Sequence, residues 1–153
     1  MIYKIRVVLD CEKDVIRDIE IDGNSSFENL HNAIFEFFNF ETKEIASFYL
    51  SDDKWSQGQE IFLESFEKDQ LLMRDTKLSS IINNFQKKFL YVFDFLELWT
   101  FFIEVVEIDH KSTDLSYNKL IFSYGELPKF APKKNFIAEK TQDNNDSELN
   151  DFY

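Results

Sequence analysis

Apolar and polar residues alternate from Tyr3 to Leu9, with Tyr3, Ile5, Val7 and Leu9 on one side and Lys4, Arg6 and Val8 on the other. Strand side chains point to opposite faces in turn, so the pattern predicts a half-buried strand. A second strand is predicted at Val15 to Ile21, where Val15, Ile19 and Ile21 share a face with the charged Arg17. The polar stretch Asp10 to Asp14 joins them as an antiparallel hairpin. The period then lengthens. Phe27, Leu30, Ile34, Phe37 and Phe38 recur three and four residues apart, which predicts an amphipathic helix with His31 inside its apolar stripe. Ser25 and Glu28 have the spacing of a capping box at its start. Ile45 to Leu50 and Glu60 to Leu63 read as further strands, whereas Glu64 to Arg74 has no clear period. Asp75 or Thr76 is placed to cap a short helix holding Leu78, Ile81, Ile82 and Phe85.

The most apolar part of the chain is Phe89 to Ile108. Its aromatic and branched residues predict two central strands, Phe89 to Phe95 and Trp99 to Ile108, joined through Leu96, Glu97 and Leu98. The joint lacks the Gly, Asn or Pro of a tight turn. A loop over His110 to Asn118 leads to one more strand at Leu120 to Tyr124, closed by Gly125 and Pro128. The order strand, strand, helix, strand predicts an α+β fold. It consists of a mixed or antiparallel sheet with a β-grasp-like N-terminal half and one main amphipathic helix. One domain is expected over residues 1–134, followed by an acidic tail over residues 135–153. From Ala138 onward there are five acidic residues and one basic residue, a composition expected to be disordered.

With 153 residues the chain is long enough for one domain with a proper core. No apolar run has the length of a membrane span, and MIYKIRVVLD matches neither a signal nor a transit peptide, so a cytoplasmic protein is expected. The net charge of −12 disfavours direct binding to nucleic acid or to an anionic membrane surface. It is compatible with basic protein partners, with metal cations, or with nothing beyond solubility. The 18 Phe residues against three Gly and two Pro are read as a coding bias in preference to an aromatic binding surface.

Three segments carry a family resemblance: Ile16-Arg17, Leu30-His31-Asn32-Ala33-Ile34, and Tyr91-Val92-Phe93-Asp94-Phe95-Leu96-Glu97-Leu98-Trp99. They resemble, in the plasmid pRiA4b ORF-3-like family of bacteria and archaea, a strand with a Trp-Arg end, a helix opening Leu-His, and a late Tyr-x-Tyr-Asp-Phe-Gly-Asp-x-Trp motif. The likeness covers most of residues 3 to 132, with Leu120 to Pro132 similar to the closing strand and loop. Ile16 stands for the family's Trp, Leu96 for its Gly, Glu97 for its second Asp, and Phe101 for a His found in many members. The chain is similar to a divergent, Bacteroidetes-type branch. The resemblance implies an α+β fold and no established activity; the family's name reflects plasmid and mobile-element genes.

Arg17, His31, Asp94 and Glu97 are polar where apolar residues would be easier. They have two readings. In one they converge, with Trp99 nearby, on a pocket where Arg17 holds an anion, His31 moves a proton and a carboxylate orients it. In the other, Arg17 pairs with Asp94 across the sheet and His31 bonds a backbone carbonyl. The second is preferred, because buried charges need partners in any fold. Two His and one Cys, far apart, make no metal-ligand pattern, and no cofactor motif is present. Cys11 between Asp10 and Glu12 is expected to be a poor thiolate. Trp55, in the polar loop SDDKWSQGQ, either marks a partner contact or folds back on the core, and the second is preferred. The expected function is that of a protein-binding or accessory module without catalysis. A small-molecule binder or enzyme using Arg17, His31, Asp94 and Glu97 is the alternative. An acidic decoy for a nucleic-acid-binding protein is a further one.

Overall fold

The structure is a computed structural model that describes residues 1–65, 67–111 and 118–132. The protein is a mixed α+β fold dominated by a single sheet. Its eight strands among the described residues are β1 (Ile2–Leu9), β2 (Ile16–Asp22), β3 (Ala46–Leu50), β4 (Glu60–Phe62), β5 (Leu71–Leu72), β6 (Lys88–Phe93), β7 (Trp99–Asp109) and β8 (Lys119–Tyr124). They lie side by side in the order β5-β4-β3-β6-β7-β1-β2-β8. Neighbours are antiparallel except β4 and β5, which are parallel. The helices are α1 (Phe27–Phe37) and the single turn α2 (Leu78–Ile81), with a 3-10 turn at Met73–Asp75.

The alternation along β1, β2 and β7 sorts their residues as the sequence predicts. Tyr3, Ile5, Val7, Leu9, Ile19, Ile21, Phe101, Ile103 and Val105 are buried. Helix α1 lies over this face and buries Phe27, Leu30, His31, Ala33 and Ile34. Phe27 meets Phe48 and Phe89 edge-on at 5.2 and 5.6 Å, the geometry aromatic pairs favour. The opposite face carries Arg6 and Asp18, directly paired across β1 and β2. Arg6 donates from Nε and Nη2 to the two Asp18 carboxylate oxygens at 2.8 Å each.

Several expectations change in detail. The helix starts one residue later than the Ser25–Glu28 spacing implied. Ser26 is the cap: its Oγ accepts from Asn29 N–H at 3.1 Å, and Ser26 N–H donates to Asn29 Oδ1 at 2.9 Å. An Asn side chain thus takes the place usually held by Glu or Gln. Neither Asp75 nor Thr76 caps α2; Lys77 precedes it without a side-chain bond, and Thr76 Oγ1 donates instead to Leu72 O at 2.7 Å. Phe85 is 98% exposed and lies outside α2, which ends at Ile81. The unassigned stretch before it contains β5 and the 3-10 turn. Strand β6 stops at Phe93, so Asp94 and Phe95 belong to the turn. The acidic tail expected over residues 135–153, and residues 112–117 of the expected loop, lie outside the described residues. No helix among the described residues is long and apolar enough to cross a membrane.

Candidate functional site

Two concave sites flank the central hairpin, one towards the helix and one on the opposite sheet face. The first is built on the end of α1. Asn39 adopts φ 61°, a left-handed conformation that Asn tolerates. The chain therefore turns back on itself: Asn39 N–H donates to Glu36 O at 3.0 Å and Phe40 N–H to Phe35 O at 3.1 Å. This is a Schellman ending, completed by the stacked rings of Phe35 and Phe40. Phe40 is thereby laid against Phe93 at 4.3 Å and edge-on to Trp99 at 5.4 Å.

Arg17 reaches the same place from β2. Only 4% of it is exposed. Its Nε donates to Phe37 O at 2.9 Å, and its Nη1 to Ile16 O at 2.8 Å and Tyr124 O at 3.1 Å. The guanidinium sits 4.9 Å from the centre of the Phe38 ring. A cation at a helix C-terminus is favoured by the helix dipole, and here it also ties the helix end to β2 and β8. Burial lowers its pKa from the ordinary value, and the charge of Glu126 acts in the other direction. The expected pairing of Arg17 with Asp94 does not form. Asp94, at φ 65°, instead accepts from Leu96 and Glu97 N–H at 3.0 and 3.2 Å and so shapes the hairpin turn. This supplies the turn chemistry that the absent Gly would have signalled.

The resulting cleft has a volume of about 610 Å³, and Arg17, Asp94 and Trp99 all line it. Glu97 is exposed in the turn and His31 is buried in the core; neither is part of this lining. The partner of His31 is Tyr91, not a backbone carbonyl: Nδ1 and the Tyr91 hydroxyl oxygen are 2.6 Å apart. Burial, with a smaller effect from Lys43, pushes the His31 pKa down to about 4. Burial likewise raises that of Tyr91 well above its ordinary value, so a neutral hydroxyl and a neutral imidazole share this hydrogen bond. The structure thus brings together three of the five candidate residues and separates the proposed acid–base pair.

The second site lies on the sheet face away from α1. A groove of about 640 Å³ is lined by Trp55, Leu90, Val92, Phe95, Leu98 and Phe102, among others. Trp55 packs edge-on against Phe102 at 5.0 Å and lies under the Lys88 ammonium, 5.2 Å from the ring centre. Two of these bulky residues have positive φ, Trp55 at 59° and Leu98 at 60°. The sequence reading weighed Trp55 but missed the groove, because Leu98 lines it only through a backbone conformation that Leu rarely adopts. Cys11, between acidic neighbours, has its thiol pKa raised, first by burial and then by Asp10, Asp14 and Glu12. Among the described residues, no group of three or more His, Cys, Asp or Glu side chains is placed to hold a metal ion.

The fold has a counterpart in the crystal structure of MM3350, a protein of unknown function from Methanosarcina mazei Go1. The two chains are 19% identical, with a TM-score of 0.71 over 97% of this chain and 84% of that one. No curated protein matches the sequence. The family described as plasmid pRiA4b ORF-3-like protein matches residues 1–129, which include the buried Arg17, the His31 helix and the whole central hairpin. The chain belongs to that family.

Proposed function

We propose that this protein is a cytoplasmic protein-binding module, without catalysis and without direct contact to nucleic acid. Its partner is a basic segment carrying an apolar anchor. The observation that carries the reading is the groove beside Trp55. Its walls are apolar, and two of them, Trp55 and Leu98, are held at positive φ. Such a conformation costs a bulky side chain on the order of 1–3 kcal/mol, and strain of this kind concentrates at functional sites. Several acidic residues lie in or next in sequence to the groove lining, with Lys88, paired to Asp53 at 3.1 Å, over Trp55. Asp10 lines it, Asp52 and Asp53 lie in the Trp55 loop, and Glu97 precedes Leu98. With a net charge of −12, this surface suits a positively charged partner. The β-grasp-like grouping of β1, β2, α1 and β3, with residues 1–134 as one domain, belongs to the same reading. A helix laid on one face leaves the other face available.

The test compares wild type with Phe95→Glu, a change at a half-exposed turn residue in the groove. Capture from a lysate of the source organism at low salt should retain a basic protein on the wild-type chain. That protein should be lost from Phe95→Glu and at high salt. Equal retention by both chains, or a partner of acidic character, would sink the reading.

A further inference from the structure

The cleft at the end of α1 contains an incompletely satisfied cation. Arg17 has five N–H donors, and its three hydrogen bonds among the described residues all go to backbone carbonyls. Its Nη2 has no acceptor, and the guanidinium has no carboxylate at ion-pair distance, among the described residues. Arg17 is nevertheless almost entirely buried and lines the cleft. A buried charge whose acidic neighbour Glu126 acts only from beyond ion-pair distance is costly, so the site favours an incoming anionic oxygen. The rest of the lining is not that of a simple anion site. Glu41, Glu44, Asp94 and Glu126 contribute four carboxylates, against one further cation, Lys129. A free dianion such as phosphate would meet repulsion from these groups, and a plain amine would meet Arg17. Phe40, Phe93 and Trp99, packed together, give the same cleft an aromatic wall.

We propose that this cleft binds an amino-acid-like zwitterion. Its carboxylate is held by Nη2 of Arg17, its ammonium by the carboxylates of the cleft, and its apolar body by Phe40 and Trp99. The cleft and the Trp55 groove are separate sites with different linings, so this proposal does not rest on the docking reading.

The probes are L-phenylalanine, phenethylamine, which lacks the carboxylate, and hydrocinnamate, which lacks the ammonium. Binding is read from the indole N–H resonance of Trp99, with that of Trp55 as an internal control. Phenylalanine should shift Trp99 and leave Trp55 unmoved. Each single-charge analogue should bind about tenfold more weakly, since each loses one charge-assisted contact. Arg17→Gln removes the site but also the helix tie, so a surface variant is needed as well. Glu44→Gln should weaken phenylalanine several-fold and leave hydrocinnamate unchanged or tighter. Phe95→Glu should leave phenylalanine binding intact. Equal binding of the three probes, preference for hydrocinnamate, or silence of Trp99 across all standard L-amino acids up to their solubility limits would overturn the proposal.

Discussion

His31 should make the fold acid-sensitive over a defined window. In the unfolded chain it takes up a proton near its ordinary value of 6.5, whereas in the fold burial holds it neutral down to about 4. Between these values the unfolded state binds more protons, so stability rises with pH and is lost as pH falls from 6.5 towards 4. At about 1.4 kcal/mol per pH unit the full loss is about 3 kcal/mol, of which about 2 kcal/mol should be gone by pH 5. The chemistry behind it is local. Nδ1 and the Tyr91 hydroxyl oxygen are 2.6 Å apart, and a protonated ring would set its charge against a neutral hydroxyl inside a core that excludes water. The chain carries 29 acidic residues whose repulsion also changes with pH, so the raw curve is not diagnostic. The diagnostic quantity is the difference between wild type and His31→Asn, whose amide oxygen can take the Nδ1 position without titrating. Urea unfolding from pH 7 to pH 5 should give a difference that shrinks by about 2 kcal/mol as the pH falls. A constant difference, or an imidazole that titrates near its ordinary value in the folded protein, would refute the reasoning.

Two further changes test the frame around the sites. Arg6→Ala should cost about 2 kcal/mol by urea unfolding, because it strips both bonds from an Asp18 side chain that is only 4% exposed. The loss stays below that of a fully buried pair since Arg6 itself is 46% exposed, and Arg6→Lys should restore less than half, lacking the fork. Gly125→Ala should lower Tm by about 5 °C or more, since Gly125 sits at φ +78° and a Cβ there would meet Asp14 O at 2.2 Å. An unchanged Tm would mean that the segment closing the cleft is not held by this turn.

What could be read from the sequence follows from what each signal measures. Periodicity reports burial, and burial assigned β1, β2, α1 and β7 to the right faces, Arg17 and His31 included. It also showed that both residues needed partners. It could not name them, because Tyr91 and the carbonyls of Phe37 and Tyr124 come from residues 20 to 107 positions away. The cleft was half visible: Arg17, Asp94 and Trp99 stand out as misplaced or motif residues, but no pattern in the sequence marks Phe40. Only the left-handed Asn39 turns it inward. The helix start was misplaced by one residue because two serines stand in a row, and only the bond from Asn29 chooses between them. The positive φ of Trp55 and Leu98 leaves no trace in composition at all.

The position of β1 has a consequence for how the protein is made. Strand β1 lies between β2 and β7 and leaves the ribosome long before β7, which ends only at Asp109. Until then one edge of IYKIRVVL, with Ile5 and Val7 destined for full burial, has nothing to pair with. Closing a loop of that length before its contacts reward it is slow, and the exposed edge meanwhile invites pairing with other chains. A slower rate of synthesis after β2 should therefore lower the soluble yield, and chaperone occupancy should fall once β7 has been made.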